Sequence, residues 1–120
     1  MKFSSVRLVT NNFQYLVQFY QNLSTIEATH LAEGFAEIHF DGAVLAISDE
    51  RLIRLHNNGL ASASSNRSAI LEFQVDDVEA VLQGVSGAEI VMSITKMPWG
   101  NISLMLRDPD GSLVNVFSKP

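Results

Sequence analysis

The chain has 120 residues, 47% of them hydrophobic and 18% charged, with a net charge of −5 and no cysteine. That length and composition suit one globular domain with a sizeable core, and the missing cysteine excludes disulfides, thiolate metal sites and a cysteine nucleophile. Eight Lys and Arg, spread without a basic stripe, argue against nucleic acid or an anionic membrane as partner.

Phe3 to Thr10 reads as a first strand, with Val6 and Leu8 on one face and Ser5 and Arg7 on the other. Asn11-Asn12 can cap a helix in which Phe13, Leu16, Val17, Tyr20 and Leu23 follow at helical spacing. Ile26 to Ala32, Phe35 to Phe40 and Ala43 to Ser48 then read as three short strands, the last two joined by Asp41-Gly42, a good two-residue hairpin turn. Between Asp49 and Arg67 lie a short helix (Leu52, Ile53, Leu55), Asn57-Asn58-Gly59, and a small, polar run through Ser65 that reads as a flexible linker.

Ile70 to Val75 opens the same series again, with Leu71, Phe73 and Val75 on one face. Asp76-Asp77 caps, and Val78, Val81, Leu82 and Val85 repeat the helical spacing, each 65 positions after Phe13, Leu16, Val17 and Tyr20. Ala88 to Met97, Asn101 to Arg107 and Ser112 to Phe117 follow as strands, with Asp110-Gly111 in the place of Asp41-Gly42. In Asp108-Pro109-Asp110-Gly111 the proline pre-sets φ, the glycine takes a positive φ, and both aspartates can bond nearby backbone. The chain therefore reads as α+β: one domain, residues 1–120, of two βαβββ modules (about 1–48 and 68–120) with a linker over 49–67.

This arrangement resembles the vicinal oxygen chelate superfamily, which holds the glyoxalases, bleomycin-resistance proteins and extradiol dioxygenases. The resemblance covers nearly the whole chain. It is strongest at Phe19-Tyr20, at Phe73-Gln74-Val75-Asp76-Asp77-Val78, at Pro98-Trp99-Gly100 and at the Asp-Pro-Asp-Gly turn. It implies paired modules forming a curled, cup-shaped mixed sheet with helices on the outside and ligands bound inside.

Enzymes of that superfamily hold a divalent metal with His, Gln or Glu, one ligand from the first and one from the last strand of each module. Carried onto this chain, those positions fall on Ser5, Ala46, Ile70 and Asn115. Ala46 and Ile70 offer no donor atom, a serine hydroxyl is a poor ligand, and Asn115 brings one neutral carbonyl oxygen. No metal or other cofactor is therefore expected. The three histidines, His30, His39 and His56, all lie in the first half. His39 shares a strand face with Glu37, where the pair could ligate a metal or serve as base and orienter, or simply be a solvated polar face.

If the four positions face inward, alternation puts Arg7, Glu72, Gln74, Leu113 and Phe117 beside them. Arg7 and Glu72 are counterparts under the repeat, suited either to a polar or charged ligand or to a structural ion pair. Trp99, the only tryptophan, could stack on a planar ligand or plug a module or dimer boundary. Met92, Met97 and Met105 could give an adaptable wall or fill the core. No GxSxG or glycine-rich phosphate loop is present.

The favoured reading is a metal-free protein that sequesters a small molecule through Arg7, His39, Glu72, Trp99, Asn115 and Phe117, with no catalytic residue. The alternatives are a divalent-metal enzyme of the same superfamily (isomerase, lyase, dioxygenase or thiol transferase) with non-standard ligands, and a structural or regulatory module whose cup is filled by its own side chains. The resemblance implies a homodimer. No apolar run reaches membrane-spanning length and Met1 to Ser5 opens no signal-peptide core, so a cytoplasmic protein is expected.

Overall fold

The computed structural model describes residues 1–120. They divide into two compact units, Met1–Ser65 and Asn66–Pro120. The first contains β1 (Val6–Thr10), α1 (Phe13–Ser24), β2 (Thr29–Ala32), β3 (Phe35–Phe40), β4 (Ala43–Asp49) and α2 (Glu50–His56). The second contains β5 (Ile70–Gln74), α3 (Val78–Gly84), β6 (Glu89–Lys96), β7 (Ile102–Arg107) and β8 (Leu113–Ser118). The sheets run β1-β4-β3-β2 and β5-β8-β7-β6, each with its first and last strands parallel and the other pairs antiparallel. The 65-residue repeat in the sequence is thus a repeat of topology, and the α+β reading holds.

In the first unit Leu16, Val17, Tyr20 and Leu23 are the buried face of α1, which packs on β4 and β3. The sheet answers with Leu45 and Ile47 on β4, in register with Ile38 and Ala36 on β3, all buried. In the second unit α3 packs on β8 and β7, where Val114 and Val116 are in register with Leu106 and Leu104, again all buried. Apolar burial of this kind is the main favourable term holding each sheet to its helix.

The two helices start differently. Asp77 caps α3 as expected, its Oδ1 accepting from the Glu79 and Ala80 N–H groups at 3.1 and 3.2 Å. Asn12 holds the N-cap position of α1 but its side chain makes no capping bond. Instead its own N–H donates to Thr10 Oγ1 at 2.9 Å, so the preceding threonine organises the turn.

Several expected boundaries shorten. The first strand begins at Val6 rather than Phe3, and the second at Thr29 rather than Ile26; all four residues of β2 are exposed, as befits an outer strand. The stretch expected to be a flexible linker is tied back onto α2. Ile53 O accepts from both Asn57 N–H and Gly59 N–H at 2.9 Å, with Asn58 and Gly59 at positive φ, and Glu50 Oε2 accepts from Ala63 N–H at 2.6 Å. A carboxylate at the start of α2 supplies an acceptor that small-residue composition alone does not reveal.

The two matching turns also differ. Phe40 pairs with Ala43 across Asp41-Gly42, whereas Arg107 pairs with Leu113 across the longer stretch Asp108–Ser112. There the buried Asp108 accepts from Asp110 N–H and Ser112 N–H, both at 2.9 Å, while Arg107 donates to Gly111 O at 2.9 Å. Removing that carboxylate leaves two backbone donors without their acceptor, so Asp108→Ala is expected to cost about 1–3 kcal/mol in chemical denaturation. Asp41→Ala, at the exposed two-residue turn, is expected to stay within about 0.5 kcal/mol of the parent.

Candidate functional site

One helix can cover only one face of a four-stranded sheet, and what lies on the other face differs between the units. In the second, that face carries Ile70, Glu72 and Gln74 on β5, in register with Leu113, Asn115 and Phe117 on β8. Asn115 continues the row to Met105 on β7, and Met105 to Met92 on β6. Asn115 Nδ2 donates to Glu72 Oε1 at 3.1 Å, while Asn115 Oδ1 is buried and has no partner. Glu72 and Gln74 are exposed, Ile70 is 46% exposed, and Leu113, Asn115 and Phe117 are half-buried. Met105 and Met92 are outside the buried core and are half-buried.

The corresponding face of the first unit is closed. Arg7 is in register with Ala46 and Val9 with Ser48, yet Ala46 is 2% and Ser48 0% exposed. α2 packs on β4 and β1 with Ile53 buried, and Arg7 reaches past its end to donate to Asn57 Oδ1 at 3.3 Å. Glu37 and His39 stay on the same side of the sheet, Oε1 and Nε2 3.1 Å apart, with side chains 25% and 58% exposed. Within its own unit each of the two repeat counterparts has a neutral partner, Arg7 donating to Asn57 and Glu72 accepting from Asn115. Asn57, Arg7's partner, escapes sequence reasoning because the bond spans 50 positions and depends on where α2 packs.

The donor set does not fit the divalent metal that the resemblance implies. Ser5 lies ahead of β1, Ala46 presents a buried methyl group, Ile70 is aliphatic, and Asn115 offers a single neutral carbonyl oxygen, its Nδ2 donating to Glu72. No three His, Cys, Asp or Glu side chains are gathered where they could hold a metal ion. Trp99 stands at the tip of the β6–β7 hairpin, 67% exposed, in a turn closed by Gly100 N–H donating to Met97 O at 2.9 Å. Gly100 has φ +98°, and a Cβ there would come within 3.2 Å of Pro120, so both conformation and space call for glycine.

Two βαβββ units, each with a mixed sheet backed by a helix on one face, define a fold of the vicinal oxygen chelate type. The model of the Glyoxalase-like domain matches residues 3–119, and the chain belongs to that family. A glyoxalase/bleomycin resistance protein/dioxygenase family enzyme from Burkholderia phytofirmans PsJN superposes with a TM-score of 0.86 at 16% identity over 100% of both chains. A protein of unknown function from Agrobacterium tumefaciens gives 0.84 at 20% identity, over 100% of this chain and 95% of that one. A glyoxalase-related enzyme from Fulvimarina pelagi gives 0.81 at 17% identity, over 100% and 89%. At these identities the likeness is one of fold. A comparison with curated proteins finds no match.

A buried acceptor without a partner is a standing cost, so Asn115→Leu is expected to raise stability by about 1 kcal/mol in urea unfolding. A loss of stability would show that the bond from Asn115 to Glu72, or a partner of Oδ1 in solution, outweighs that cost.

Proposed function

We propose that this glyoxalase-like chain binds and sequesters a small, partly planar or amphipathic molecule, without a metal and without covalent chemistry. The observation that carries the reading is the contrast between donor-poor metal positions and an open second-unit face that combines apolar floor and polar anchor. Leu113, Phe117 and Met105 supply the floor, Glu72 and Asn115 the anchor, and Trp99 an exposed aromatic surface for stacking. Arg7 and His39 are engaged by Asn57 and Glu37 and contribute less. The protein acts as a cytoplasmic homodimer in this reading. No helix is long and apolar enough to cross a membrane.

The second reading is a divalent-metal enzyme, favoured only by the contact between Glu37 and His39. Thermal melts separate the two. Metal bound to the native state at a hundredfold over its Kd adds about 2.7 kcal/mol, a visible rise in Tm. We expect the same Tm in EDTA and in excess nickel, zinc, manganese or iron. A rise specific to one metal would overturn the metal-free reading.

A further inference from the structure

The exposed sheet face in the second unit carries one charge without a counter-charge. Glu72 is held by Asn115, a neutral donor that reaches only Oε1 and so orients the carboxylate without compensating it. Arg107 lies on the same side, in register with Leu113, but is occupied: its Nε is 3.4 Å from Glu89 Oε2 and its Nη1 donates to Gly111 O. Beside Glu72 the row runs through Asn115 to Met105 and Met92, with Phe117 two residues along β8. An anchored anion at the end of a soft apolar row complements a molecule with a cationic head and an apolar body.

The first unit offers no equivalent, because Ala46 and Ser48 replace Asn115 and Phe117 at the matching positions of the last strand and are fully buried. The half-buried carboxylate on that side, Glu37, already faces His39.

We propose that the ligand is a cation, an ammonium or amidinium on a flat or flexible apolar body, and that it is taken by the second unit alone. The head group donates to Glu72, and the body lies over Met105 and Phe117. This rests on the sequestering function proposed above and names its substrate class and its address. A charge-assisted bond to an oriented carboxylate supplies the selectivity, and the thioether wall supplies tolerance of shape.

The test is amide chemical-shift mapping on the full chain with three probes of one size: benzamidine, benzoate and benzyl alcohol. Benzamidine is expected to move the amides of Glu72, Asn115 and Phe117, to bind at least tenfold more tightly than benzoate, and to weaken as salt is raised. Glu72→Gln is expected to remove most of the benzamidine preference, leave benzyl alcohol unchanged and keep the parent Tm. Equal binding of all three probes at this face would overturn the cation assignment while leaving the sequestering function standing. Shifts centred on Glu37 and His39 would overturn the assignment to the second unit. No shift with any probe on either face would overturn both the inference and the function beneath it.

Discussion

The structure depends on a parallel pairing made twice, β1 with β4 and β5 with β8. A parallel pair cannot be closed by a tight turn, so the chain must leave the sheet and return, and here the excursion includes a helix and two further strands. The helix folds back onto the last two strands and buries one face of them, α1 over Leu45 and Ile47, α3 over Val114 and Val116. The period of two in every strand then delivers the remaining residues to the opposite face, whatever their chemistry. Which residues can bind anything is thus decided by the residues that do not: a one-residue slip of β8 against β5 would set Val114 or Val116 opposite Glu72 in place of Asn115.

The second face is where the two repeats part. The first unit spends α2 on it, with Ile53 buried, Arg7 tied to Asn57, and small residues, Ala46 and Ser48, at the covered positions of β4. The second unit has no helix beyond α3 and keeps larger, half-exposed residues there, including an asparagine with an unpaired buried oxygen. Carrying such a group lowers stability without a return in the fold itself, and sites of binding are where chains tolerate that cost. The repeat thus supplies two copies of a platform, one of them closed.

The element order and the internal repeat were legible in the sequence because they rest on local periodicity and on turn chemistry: Leu16, Val17, Tyr20 and Leu23 at helical spacing, Asp77 ahead of α3, glycine at 42 and 111. The family was legible only as a resemblance in short motifs such as Pro98-Trp99-Gly100. The shared face of Glu72, Gln74, Leu113, Asn115 and Phe117 followed from alternation once β5 and β8 were paired. What alternation cannot reach is contact between elements distant in sequence. The bond from Arg7 to Asn57 depends on where α2 lands, and Ala63 N–H meets Glu50 only after the chain has doubled back. The turn at Asp108–Ser112 hid its extra length because an Asp-Gly pair occurs in both turns, and only the register between Arg107 and Leu113 counts the residues between them.

That longer turn has a consequence for the binding face. Asp108 accepts from two backbone N–H groups and fixes where β8 begins, and from Leu113 onward the inward and outward residues of β8 are set. Arg107 donates to the same turn at Gly111 while lying close to Glu89, which occupies the cation in register with Leu113. Two features that read as turn stability, a buried carboxylate and a bonded arginine, therefore also place Asn115 opposite Glu72 and leave Glu72 as the uncompensated charge. In the first unit the two-residue turn at Asp41-Gly42 brings Ala46 to the matching strand position, where a methyl group can neither hold a carboxylate nor receive a ligand. The difference in turn length and the difference in chemistry occur together, so the open face of the second unit is a property of its whole hairpin rather than of Asn115 alone.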